Sequence, residues 1–261
     1  MSAKTVRTIL LTRPKSGSEA VRPLFESAGF RVLIQPMVEL LPPTDFSGAD
    51  RAMARREKFD WPIFSSAHGV RFFFERAAAL DGALKGARSW ESAKIAAVGP
   101  GTASALTEFA RSADLVPAEH RAEGLIAALE QEARRGARFL SIRGDRGRDL
   151  LKTELTALGG SVEEISVYQS VDTQKPDEKI ARLLGDGKID AVTVTSSAIA
   201  ATLVRLFGAA LKKTALVSIS PLTSETLRAL GYDPALEAQT ATMEGIRAAL
   251  VTAPCFRSEP D

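Results

Sequence analysis

Cysteine and histidine are nearly missing from this sequence: one cysteine, Cys255, and two histidines, His68 and His120, in 261 residues. A single cysteine makes no internal disulfide, so a cross-linked secreted scaffold is excluded and a reducing compartment is expected. So few soft ligands also argue against a His/Cys metal site, and no metal is expected. Net charge is equally scarce. The 34 Lys and Arg stand against 32 Asp and Glu, leaving +2, too little for a surface that binds nucleic acid or membrane. No apolar run approaches the roughly 20 residues that cross a bilayer. Near the start, Ile9-Leu10-Leu11 is closed at once by Arg13 and Pro14, which is no secretory leader. The expectation is a soluble cytoplasmic monomer with neither a nucleic-acid nor a membrane partner.

What is present is an alternation of short β-type runs with helical periodicity. Thr8 to Thr12 and Arg31 to Gln35 read as buried strands. Between them Val21, Leu24, Phe25 and Ala28 share one helix face, with Ser18 as N-cap and Gly29 as stop. Pro23 conflicts with that helix and is expected to kink it or delay its start. Further strands are expected at Trp61 to Ser65, Lys94 to Val98, Arg138 to Ile142, Ser161 to Tyr168, Asp190 to Thr195 and Ala215 to Ile219. A helical pattern follows each, as in parallel sheets with crossover helices.

The chain also repeats itself. Leu11-Thr12-Arg13 with Gly29 matches Ser141-Ile142-Arg143 with Gly159, both pairs 130 apart. Ile63-Phe64-Ser65-Ser66-Ala67 matches Val194-Thr195-Ser196-Ser197-Ala198 at a spacing of 131. Val98-Gly99-Pro100-Gly101-Thr102 matches Ile219-Ser220-Pro221-Leu222-Thr223, and Glu123-Gly124-Leu125 matches Glu244-Gly245-Ile246, each 121 apart. Four blocks recurring in one order define two copies of one α/β unit, with a ligand expected between them. Proline-bearing stretches at Gln35 to Phe46 and Ser166 to Pro176 are expected to be the crossings from one copy to the other.

Several motifs in these blocks suit an anionic ligand. Ser65-Ser66-Ala67 and Ser196-Ser197-Ala198 stand where a strand meets a helix, so a serine can cap the helix while first-turn N–H groups receive a carboxylate or phosphate. Gly99-Pro100-Gly101-Thr102 begins as G-x-G, but Ser104 stands where the dinucleotide fingerprint needs Gly or Ala, so it reads as a tight turn presenting N–H groups and the Thr102 hydroxyl. Arg143-Gly144-Asp145-Arg146-Gly147-Arg148 gathers three arginines in a glycine-rich loop, and planar guanidinium groups take carboxylates bidentately. Two other classes fit these residues. One is a small-anion receptor without chemistry. The other is a nucleic-acid regulator working through the arginine loop, whose affinity would fall steeply with salt.

Taken in order, Thr12-Arg13-Pro14, Phe64-Ser65-Ser66-Ala67, Ala97-Val98-Gly99-x-x-Thr102, Val116-Pro117 with Glu123-Gly124-Leu125, Val167-Tyr168, Thr195-Ser196-Ser197 and Ile219-x-Pro221-x-Thr223 resemble the uroporphyrinogen-III synthase family, from about Ile9 to Leu250. The resemblance implies two similar α/β domains with parallel sheets flanked by helices, joined by a two-stranded linker with a cleft between them. It places 1–37 with 172–261 in one domain and 44–166 in the other, with 38–43 and 167–171 as linker strands. It implies a lyase of tetrapyrrole (heme) biosynthesis that cyclises the linear tetrapyrrole hydroxymethylbilane with inversion of ring D, with no cofactor. Such an enzyme works mainly by orienting a flexible polyanion, with an acid to help a hydroxyl leave. Carried over, the functional tyrosine falls on Tyr168 and the cleft hydroxyls on Ser65, Thr102, Ser197 and Thr223. Arg13, Ser66, Arg143, Gly144 and Ser196 complete the expected substrate-binding set. The sequence departs from the family at Ser220 and Leu222, where glycine and threonine are usual, and a non-catalytic tetrapyrrole-binding relative is the alternative.

Overall fold

Short apolar and β-branched runs that stop at serine, proline or glycine make the strands here, and stripes of period 3.6 make the helices after them. The computed structural model describes residues 6–84, 90, 93–147 and 149–256. The chain runs β1 (Thr8–Leu11), α1 (Lys15–Glu26), β2 (Arg31–Ile34), β3 (Val38–Leu41), α2 (Ser47–Ala54), β4 (Trp61–Phe64), α3 (Ala67–Leu84), β5 (Ala96–Ala97), α4 (Pro100–Thr107) and α5 (Ala122–Arg134). It continues through β6 (Arg138–Gly144), α6 (Leu150–Ala157), β7 (Ser161–Asp172), α7 (Glu178–Gly185), β8 (Ala191–Val194), α8 (Ser197–Phe207), β9 (Ala215–Ser218), α9 (Pro221–Ala229), β10 (Leu236–Glu237) and α10 (Met243–Thr252). Two compact units result: Met1–Glu39 with Val171–Asp261, and Leu40–Ser170.

The first unit holds a parallel sheet in the order β10-β9-β8-β1-β2. The second unit's sheet runs β3-β7-β6-β4-β5, with β7, β6, β4 and β5 parallel. Set side by side, β9-β8-β1-β2 and β5-β4-β6-β7 are one strand order carried by two permuted stretches of chain. The duplication is therefore structural as well as sequential.

Strand alternation and helix stripes meet in the cores. In the first unit Ile9, Leu11, Phe25, Val217, Ile246 and Leu250 pack together; fully burying such a side chain stabilises the fold by about 1.5–3 kcal/mol. In the second unit Phe64, Leu140 and Ile142 face Phe73 and Phe74, while Ile63 and Phe139 face Leu125, Leu129 and Leu155. Successive strand residues thus feed opposite clusters, as expected when helices cover both faces of a sheet.

Four local expectations need correction. Ser18 does not cap α1, which begins at Lys15 behind Pro14; the buried Ser18 hydroxyl donates instead to the Arg13 carbonyl at 3.0 Å. Pro23 does not delay the start of the helix but lies inside α1, on its exposed side, while Val21, Leu24 and Phe25 hold the helix to the core across the missing rung. Gly29 does terminate that segment, at φ 85°, a left-handed conformation favouring glycine. Of Lys94 to Val98 only Ala96 and Ala97 form a strand, and β7 runs on past Tyr168 to Asp172. The edge strand β10 is two residues long, too short to show a period in sequence.

The Glu-Gly blocks have a steric explanation. A methyl group on Gly124 would lie 2.0 Å from the Glu119 carbonyl oxygen, and one on Gly245 would lie 2.2 Å from that of Thr240. Both helix starts are drawn against the preceding turn, and only glycine fits.

Candidate functional site

In both units the motif residues follow the carboxyl ends of parallel strands, where helix N-termini and loops collect in open α/β sheets. In the second unit β4 ends at Phe64 and α3 starts at Ala67. Ser66 caps that helix, its hydroxyl accepting the Gly69 N–H at 2.9 Å, and the same oxygen lies 3.2 Å from the Tyr168 hydroxyl. Ser65 donates to the Ile142 carbonyl at 3.3 Å, next to Arg143. Tyr168 is half-buried, stacks on Phe72 with centroids 5.5 Å apart, and meets the edge of His68 at 6.4 Å.

The register between β6 and β7 shifts after Arg143, so that Gly144 pairs with Tyr168. The Asp145 N–H donates to the Tyr168 carbonyl at 3.0 Å, and the Asp145 carboxylate accepts the Ser170 N–H at 2.8 Å. Asp145 thereby holds the backbone at Tyr168 and just after it at two points. Thr102 is buried in the first turn of α4, which starts at Pro100 behind Gly99.

Arg143, expected among the substrate-binding residues, already has acidic partners within its own unit. Only 12% of its side chain is exposed, and its guanidinium bonds Asp149 at 2.8 Å and Glu164 at 3.1 Å. Burial alone would lower its pKa; the hydrogen bonds to Asp149 and Glu164 outweigh burial and raise it. Arg146 is exposed on the same loop, and Arg148 lies outside the described residues.

In the first unit Ser196 caps α8, accepting the Ile199 N–H at 3.3 Å. Ser66 and Ser196 each take the N–H three residues on, so they are equivalent at a spacing of 130, and Ser65 corresponds to Thr195. The spacing of 131 for this block is corrected by one residue. Ser197 then has no serine counterpart, and its hydroxyl lies 2.8 Å from that of Thr226, joining α8 to α9. Ser220 and Thr223 open α9 as Gly99 and Thr102 open α4, their hydroxyls 3.2 Å apart. Arg13 follows β1 and lines a cavity of about 450 Å³ with Thr195, Ile219, Thr242 and Glu244.

The structure thus brings Ser66, Gly144 and Tyr168 into contact, and puts Arg13 in a pocket of its own unit. Sequence reasoning missed Phe72, Thr195, Thr242 and Glu244 as site residues. The helical spacing of His68 and Phe72 is the signal that could have found Phe72; Glu244 was visible only as part of a repeat, and Thr242 not at all.

Fold and site together define a duplicated α/β protein with hydroxyls, helix starts and an arginine-lined cavity after the carboxyl ends of its parallel strands. The family model described as "Uroporphyrinogen-III synthase HemD" matches residues 19–248. A uroporphyrinogen-III synthase of Synechococcus elongatus is 30% identical over 256 residues, covering 94% of each chain. Among solved structures, the uroporphyrinogen-III synthetase of Helicobacter pylori matches with a TM-score of 0.62 at 17% identity, over 92% of this chain and 96% of that one. A mutant uroporphyrinogen III synthase of Thermus thermophilus matches with a TM-score of 0.59 at 20% identity, over 95% and 100%; at these identities the likeness is one of fold. This chain belongs to the uroporphyrinogen-III synthase family.

Proposed function

We propose that this chain converts hydroxymethylbilane to uroporphyrinogen III, acting in tetrapyrrole biosynthesis as a cytoplasmic monomer. Family membership supports the reaction. Among the described residues no helix is long and apolar enough to cross a membrane.

The observation that carries the chemistry is the Tyr168 hydroxyl, 3.2 Å from Ser66 and backed by Gly144 and Phe72. A phenol can give its proton to the departing hydroxyl of the substrate. Water leaves, the pyrrole nitrogen lone pair supplies electrons, and an azafulvene cation forms. Ring D attacks this cation through its substituted carbon, giving a spiro intermediate. That intermediate fragments and re-closes with ring D inverted. The proton lost as the last pyrrole regains aromaticity returns to the phenolate, so the net change is loss of one water.

Isomer choice comes from holding the substrate in one geometry, since unassisted closure gives the non-inverted product. Ser65, Ser66, Thr102 and Gly144 of one unit, and Arg13, Ser196, Ser197 and Thr223 of the other, supply hydroxyls, N–H groups and positive charge for its carboxylates. Arg143 acts on this site through the loop it holds.

Incubation with hydroxymethylbilane, followed by separation of the uroporphyrin isomers after oxidation, tests the reading. Isomer III in excess supports it. A product that is isomer I at the spontaneous rate overturns it in favour of an anion receptor without chemistry.

A further inference from the structure

The duplication supplies a control inside one chain. Arg13 and Arg143 occupy equivalent positions, and each guanidinium folds over the glycine four residues on, Gly17 or Gly147. Their surroundings differ. Arg143 is held by Asp149 and Glu164. At the 130-residue spacing those acids correspond to Glu19, which bonds Arg22 at 2.9 Å, and to Ile34, which carries no charge. Among the described residues the Arg13 side chain has no hydrogen bond or ion pair. It lines the cavity of about 450 Å³ that follows β1, β8 and β9, with Thr195, Thr242 and Glu244 on its walls. Burial lowers the pKa of Arg13 and the nearby negative charge of Glu244 opposes that shift, so the guanidinium sits partly desolvated with one acid close but not bonded. A partly buried cation without a bonded partner is a receptor for an anion, and a pocket of this size admits a carboxylate arm with its pyrrole ring.

We propose that this pocket is a carboxylate subsite in which Arg13 receives one acidic arm of the tetrapyrrole as a planar two-bond pair, and that Glu244 sets its strength by repelling the same arm. The inference rests on the tetrapyrrole reading and deepens it by separating two arginines that the sequence presents as alike. Arg13 is the ligand partner. Arg143 is a positioning residue. Glu244 keeps the hold weak enough for the product to leave.

The probe is uroporphyrin III, a stable octacarboxylate macrocycle, titrated by fluorescence into the full chain and its variants at fixed ionic strength. Arg13→Gln should weaken binding about tenfold or more, the worth of one charge-assisted pair, with Arg13→Lys recovering part of the loss. Glu244→Gln should tighten binding about two- to fivefold. Arg143→Gln should lower the melting temperature, because the loop loses its bonds to Asp149 and Glu164. Parent-like affinity in Arg13→Gln, or weaker binding in Glu244→Gln, overturns the subsite. Failure to form isomer III from hydroxymethylbilane would overturn the enzymatic reading alone, because the titration still decides whether Arg13 and Glu244 govern polycarboxylate binding.

Discussion

The ring of Tyr168 lies so close over the Cα of Gly144 that a methyl group there would stand 2.5 Å from two of its ring carbons. The two residues pair across β6 and β7 where the register shifts, so the contact is made by the sheet itself. Gly144→Ala is therefore expected to push the tyrosine off its seat, at an overpacking cost of about 1–3 kcal/mol. Thermal unfolding together with turnover of hydroxymethylbilane checks this. A variant as stable and as fast as the parent would show that the ring has room to move.

Tyr168→Phe removes only the hydroxyl and keeps the stacking on Phe72. Turnover should fall, towards the low end of the about 10²–10⁴-fold worth of general acid catalysis, because orientation rather than proton transfer decides the isomer. The remaining product should still be isomer III. Unchanged kcat would move the acid role to water or to the substrate's own carboxylates.

Ser66→Ala and Ser196→Ala each delete a helix N-cap, so each should lose about 1 kcal/mol in chemical denaturation. Ser66 also touches the Tyr168 hydroxyl, which Ser196 does not. Its replacement should lower kcat further than that of Ser196. Equal kinetic effects in the two variants would separate Ser66 from the chemistry.

Asp60 and Arg138 tie β4 to β6 at the opposite end of that sheet, through two side-chain bonds of 2.8 and 3.1 Å and the Arg138 N–H. The hydrogen bonds from Arg138 hold the Asp60 carboxyl below its ordinary 3.8. A depressed acid stabilises the fold in full above that ordinary value and ceases to do so as pH falls below it. Both groups are about half exposed, so the effect is small and shrinks with salt. Denaturation of the parent and of Asp60→Asn should differ by a constant amount above about pH 5 and converge in acid. A gap that widens on acidification would contradict the pairing.

Much of the fold was legible because it rests on local signals. The apolar runs that became β1, β4, β6, β8 and β9 are short and closed by serine, threonine or glycine. The stripe Val21, Leu24, Phe25, Ala28 is strong enough to keep α1 intact around Pro23, although proline alone argues for a break. The capping role of the paired serines was legible too. Their register was not, since Ser65-Ser66 and Ser196-Ser197 look alike in sequence and only hydrogen bonds to Gly69 and Ile199 tell which serine is the cap.

The sequence by itself determined the duplication, the strand-and-helix order, and the set of hydroxyls, glycines and arginines that gather after the strands, because each depends on residues near one another in the chain. Tertiary structure alone decided what those groups can do. Two arginines in matching motifs look interchangeable until Asp149 and Glu164 are found on one of them and a hollow beside Thr195 and Glu244 on the other. A charge is available to a ligand only if no residue brought in from another strand or loop has already neutralised it, and that is settled by packing over distance.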